Sequence, residues 1–103
     1  MNVVIAGPDE TGIAAAVDTA GHTVSKALIG NRPGLEEAGI HEADVFLLTD
    51  FEQATAIAVA KDLNPEVRVV AYAEGSLPDF ASRQTDLVVD PQLLDPAAVA
   101  EEL

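Results

Sequence analysis

No cysteine occurs in the 103 residues, so disulfides, thiolate nucleophiles and sulfur-ligated metals are excluded together. Tryptophan is also absent. One tyrosine and three phenylalanines leave the core of this 49% apolar chain to Val, Ile, Leu and Ala. Bases are scarce: five Lys and Arg stand against 18 Asp and Glu, a formal charge of −13 that opposes approach to a nucleic-acid backbone or an anionic membrane surface. The two histidines, His22 and His41, have no paired ligand or nucleophile near them in sequence and are expected to be solvated. No apolar run approaches the roughly 18 residues needed to cross a bilayer, and Met1-Asn2-Val3 lacks the basic region of a leader. A cytoplasmic protein with no direct membrane insertion and no nucleic-acid partner is expected. The acids are scattered rather than run together, which fits a folded domain with a charged skin and not a disordered tail.

What is present is organised around residues 38–72. Val45-Phe46-Leu47-Leu48 is a continuous apolar run too short for an ordinary helix and suited to a strand buried on both faces. After it, Phe51, Ala54, Ile57, Ala58 and Leu63 recur at helical spacing. Asp50 is the expected N-cap of that helix, with Gln53 completing a capping box, and Asn64-Pro65 ends it. Residues 67–72 then return as a second buried strand. Strand, helix and strand with short connections predict a right-handed βαβ unit with parallel strands.

The flanks repeat the pattern. A strand over residues 3–6 leads through a Gly7 to Gly12 loop into an alanine-rich helix over 13–20, closed by Gly21. Residues 23–29 predict a weak edge strand, 30–34 a turn and 35–38 a short helix, with Gly39 in the C′ position and Ile40 making the accompanying apolar contact. Beyond Tyr72 come a loop, a short helix over 77–83, a strand over 87–89 and a terminal helix over 96–103 with Pro96 in its first turn. The expected fold class is α/β: a doubly wound, open, parallel, Rossmann-like sheet of about five strands in the order 2-1-3-4-5. Ligands of such sheets bind outside the carboxyl ends of the strands, at the switch point between strands 1 and 3. Here Gly7 to Gly12 and Thr49-Asp50 line that crevice, with Tyr72 and Glu74 expected to face it from a neighbouring strand end. Capping by Thr49 and Asp50, and a plain tight turn at Gly7 and Gly12, are the structural alternatives to ligand contact.

The segments AGIHEADVFLLTD, AKDLNPEVRVVAYAE and DLVVDPQLLDP together resemble the N-terminal nucleotide-binding (RCK N-terminal) domain of TrkA-type potassium-uptake regulators, in register over residues 35–96. The resemblance implies a single stand-alone domain over residues 1–103, a homodimer, and a potassium transporter or larger regulatory subunit as partner. It implies NAD or an adenine nucleotide as cofactor, held by Gly7, Pro8, Asp9, Gly12, Thr49, Asp50, Tyr72 and Glu74. The sequence departs from that family's pattern at the phosphate loop. Asp9 takes the place of the second glycine, where backbone must approach the pyrophosphate, so binding is expected to be weak or absent unless Asp9 caps the following helix instead. Leu28 or Ile29 stands where an acid would hold the ribose, and Tyr72 where that family carries an arginine. The acid-rich, lysine-poor composition resembles that of proteins from extremely halophilic archaea.

Two alternatives belong to other classes. A nucleotide-free dimerisation or partner-binding module needs nothing from the degenerate loop. A receiver-like signalling domain shares the 2-1-3-4-5 order, with acids after strand 1, here Asp9 and Glu10, and a phosphoacceptor after strand 3, here Asp50. Three acids there would suit a hard cation such as Mg²⁺. A receiver also needs a lysine after strand 5, where this chain has Asp90-Pro91. No nucleophile and base pair or metal cluster is visible, and an enzyme is not expected.

Overall fold

The computed structural model describes residues 1–27 and 29–103. Five strands run parallel in one sheet: β1 (Asn2–Ala6), β2 (Thr23–Ala27), β3 (Val45–Leu48), β4 (Arg68–Tyr72) and β5 (Leu87–Val89). Their order is β2-β1-β3-β4-β5, as the strand and helix alternation predicts. The crossovers carry helices α1 (Ile13–Thr19), α2 (Arg32–Glu37), α3 (Thr55–Leu63) and α4 (Asp79–Ser82), and α5 (Pro96–Glu102) closes the chain.

Strand parity divides the core. Val4, Ala6, Phe46, Leu48 and Val69 face one side, where Leu35, Ile40, Ile57 and Ala60 cover them. Val3, Ile5, Val45, Leu47, Val70 and Tyr72 face the other, against Ile13 and Val17 of α1 and Val99 of α5. All four residues of β3 are buried, which is why that strand reads as an unbroken apolar run rather than an alternating one. No polar or charged residue is buried among those described, so the acids lie on the surface.

Several elements differ from their expected bounds. The helix expected from Phe51 opens as a separate 3-10 turn (Phe51–Gln53), and α3 begins at Thr55. Asp50 accepts from the Glu52 amide at 3.0 Å, one residue short of the capping-box spacing. Gln53 bridges two segments: its Nε2 lies 3.4 Å from Asp50 Oδ2, and its Oε1 accepts from Gly30 N at 2.8 Å, tying the β2–α2 loop to the start of the α3 layer. Helix α2 begins three residues earlier than expected. Asn31 Oδ1 accepts from Gly34 N at 2.8 Å and Pro33 sits in the first turn, a cap followed by proline that the turn-like Gly30 to Gly34 composition conceals. Strand β2 ends at Ala27; Leu28, expected to extend it, lies outside the described residues. Gly39 adopts φ 86° after α2, and Ile40 is fully buried beside it, as the cap predicts.

Asn64 does more than stop α3. Its side-chain amide donates to Ile40 O and Ala43 O, both at 2.9 Å, and so clamps the end of α3 onto the segment entering β3. Lys61 reaches the other way, donating to Val67 O at 2.8 Å. No described helix is long and apolar enough to cross a membrane.

Candidate functional site

At the carboxyl ends of β1 and β3, where the strand order reverses, a cleft of about 300 Å³ is lined by Pro8, Glu10, Thr11, Thr49, Asp50, Phe51, Ala73, Glu74 and Pro91. The topology puts it there. Of the residues expected at the site, the structure gathers Pro8, Thr49, Asp50 and Glu74, with Glu10 and Thr11 from the expected Gly7 to Gly12 loop, and adds Phe51, Ala73 and Pro91. Pro91 follows β5, so the rule that strand ends line the site is the signal that finds it.

Thr49 ties the two switch-point loops together. Its hydroxyl lies 2.6 Å from Pro8 O and 3.2 Å from Ala6 O, and its amide donates to Ala6 O at 3.0 Å. Gly7 lies under this clasp at φ 106°, where a Cβ would collide with Thr49 Oγ1. The glycine is therefore required by close approach of β3 and by its own backbone conformation, without any phosphate. Gly12 has φ 80° with open space around it and serves as the left-handed N-cap position of α1.

Asp9 does not occupy the cleft. Its Oδ1 accepts from Ala14 N at 3.3 Å and its Oδ2 lies 3.4 Å from Lys26 Nζ on the edge strand. The carboxylate thus satisfies a free amide at the start of α1, the capping alternative, and sits where a dinucleotide phosphate would seek that helix end. Tyr72 is a correction to the expected site. It shares the parity of Val70, so its side chain enters the α1/α5 side of the core at 1% exposure, and its hydroxyl donates to Leu94 O at 2.7 Å. Burial, with a smaller contribution from Asp95, pushes the Tyr72 phenol above its ordinary value.

What remains is an acidic cleft with committed carboxylates. Asp50 Oδ1 accepts from Glu52 N, and Glu74 Oε1 accepts from Gln92 Nε2 at 2.7 Å. No lysine or arginine lines it. After β5, Asp90 accepts from Gln92 N at 2.8 Å and Leu93 N at 2.9 Å, forming a turn where a receiver's lysine would project. Among the described residues no three His, Asp or Glu side chains are gathered to hold a metal ion, because Asp9 points away from the other acids. Both histidines lie at the surface, His41 exposed and His22 half-buried, and each has a polar neighbour. His41 Nδ1 is 3.1 Å from Leu63 O with Nε2 3.6 Å from Glu36, and His22 Nδ1 is 3.4 Å from the Met1 amine. A wider groove of about 710 Å³ runs between α1 and α5 over Ala15, Ala16, Ala20, Ala97 and Ala100, edged by Thr19, His22 and Glu101, and includes no residue from the carboxyl ends of the strands.

Similar solved structures include response regulators and a pilus assembly-related protein. An orphan response regulator of H. pylori superposes with a TM-score of 0.75 at 14% identity, over 99% of this chain and 92% of that one. A CheY-like response regulator receiver domain protein of Methanospirillum hungatei gives 0.65 at 19% identity, over 98% and 88%. A protein of Burkholderia pseudomallei described as pilus assembly-related gives 0.70 at 18% identity, over 99% and 85%. No curated protein matches the chain. The expected TrkA-type identity, with its role in potassium uptake, is thereby corrected: the family model gives no such family, and the similar structures include response regulators. The physical reason is visible in the loop, where Gly7 and Gly12 serve the backbone and Asp9 caps α1, so the apparent dinucleotide fingerprint describes a turn. A family model matches residues 3–103, and the chain belongs to that family, a family of unknown function designated DUF7126.

Proposed function

We propose that the protein is a receiver-like signalling module that acts through protein contact and not through phosphoryl transfer. The observation that carries this reading is the composition of the cleft: Asp50 stands after β3 as a phosphoacceptor would, yet its carboxylate caps the following turn and no cation lines the cleft beside it. Phosphorylation would replace the single charge of Asp50 by about two, beside Glu10 and Glu74. At an effective dielectric of about 20, two unit charges 4 Å apart repel by about 4 kcal/mol, so each extra acid works against the phosphoryl group. A receiver offsets this with its lysine and its metal ion; here Asp90 stands in the lysine's place, and Asp9 is engaged with Ala14 N and Lys26. The reading carries no enzymatic activity and no bound cofactor with it. Acetyl phosphate and Mg²⁺ followed by intact-mass measurement test it: the mass stays unchanged, whereas stoichiometric gain of one phosphoryl group on Asp50 would overturn it.

A further inference from the structure

The chain from Gln84 to Leu103 contains Asp86, Asp90, Asp95, Glu101 and Glu102 and no lysine or arginine. In the middle of it, on the loop between β5 and α5, Leu93 is 80% exposed and Leu94 41%. This loop is not loose. Leu93 N and Leu94 N both donate to Asp90 O, at 2.9 and 3.2 Å. Tyr72 holds Leu94 O from inside the core, Glu74 holds the Gln92 side chain, and Asp95 caps α5 through Ala98 N at 2.9 Å. An apolar side chain presented on a tied loop loses little conformational freedom when it is buried, which is the condition under which one exposed leucine contributes most to binding.

We infer that the β5–α5 loop, with Leu93 as its apolar tip and Glu74, Asp90 and Asp95 as its acidic rim, docks a protein segment with an apolar face flanked by lysine or arginine. Charge complementarity selects this occupant. A second copy would bring the same acids against themselves, and an anionic membrane would repel them. The inference rests on the contact-based reading above and names its surface.

The test is a nitrogen-15 NMR titration of the whole chain, in the lowest KCl concentration that keeps it folded. The probe is a synthetic amphipathic helix of leucine and lysine, and the control is the same peptide with glutamate for lysine. Shift changes concentrate in the amides of residues 92–95 and Glu74, the control peptide produces none, and Leu93→Ser weakens the interaction by about tenfold while leaving the rest of the spectrum in place. Changes spread evenly over the acidic surface and indifferent to Leu93→Ser would overturn the inference. Shifts that follow protein concentration without any peptide, and vanish in Leu93→Ser, would overturn it in favour of a self-contact. Phosphorylation of Asp50 would defeat the reading above but leave these outcomes unaltered.

Discussion

Removing salt should unfold this protein or bring it close to unfolding, and the size of the effect follows from its charge and radius. A net charge of −13 lies on a body with a radius of gyration of 11.9 Å, equivalent to a sphere of about 15 Å radius. In water with a Debye length of about 10 Å, at 0.1 M salt, the charging energy of such a sphere is about 9 kcal/mol. At 1 M, where the Debye length is about 3 Å, it falls to about 4 kcal/mol. The unfolded chain, with about three times the radius, changes by only about 1 kcal/mol over the same range. The folded state therefore loses about 4 kcal/mol, net, between 1 M and 0.1 M salt, a large share of the 5–15 kcal/mol typical of a domain. Ion pairs do little to offset it: Lys26–Asp9, Arg32–Asp62 and Lys61–Asp86 each have at least one partner about half exposed or more and are screened by solvent. Urea unfolding followed by circular dichroism in 0.1 M and 1 M KCl measures the difference. Equal stability in the two salts, or greater stability in the dilute one, would refute the reasoning.

Three further outcomes follow from particular contacts. Gly7→Ala destabilises by about 1–3 kcal/mol in urea titrations, because the added carbon meets Thr49 Oγ1 at φ 106°, whereas Thr11→Ala at the cleft rim changes little. Tyr72 gives an alkaline limit. Its folded-state phenol is raised above the ordinary value of about 10, so its contribution is complete below that pH and is lost as pH rises towards the folded value; Tyr72→Phe should flatten that decline while costing about 1 kcal/mol at neutral pH through the lost bond to Leu94. NAD and NADH show no binding in titration calorimetry at 1 M KCl, and Asp9→Gly lowers stability by freeing Ala14 N instead of creating a site; micromolar binding by either protein would contradict the reading of the loop.

The sheet was legible because its signals are local and mutually consistent. Buried runs such as Val45 to Leu48 are separated by helices of the right length, and 2-1-3-4-5 is one of the few strand orders common for that alternation. Boundaries were less legible where a side chain serves a distant partner as well as a local one. Gln53 meets Asp50, three residues before it, and also accepts from Gly30 N at 2.8 Å, a contact that only the folded chain creates. The cleft was half legible. Thr49, Asp50 and Glu74 follow from strand ends, but Tyr72 required the parity of β4 to be counted from its buried face, and Asp9 required the geometry of a loop with two left-handed glycines. The family resemblance failed for the same reason. Spaced glycines record a backbone need, and a turn beneath Thr49 has that need as surely as a pyrophosphate does.

The measurement that bears most directly on the central claim is a nitrogen-15 NMR titration with beryllofluoride and Mg²⁺, which mimics a phosphorylated aspartate without requiring a phosphodonor. If the domain signals by contact and Asp50 serves as a cap, the amides of Glu10, Thr49, Asp50, Glu52 and Glu74 keep their positions at millimolar reagent. Saturable shifts at those amides that spread to the β5–α5 loop and disappear in Asp50→Asn would contradict the account and make the protein a phosphorylation-driven receiver.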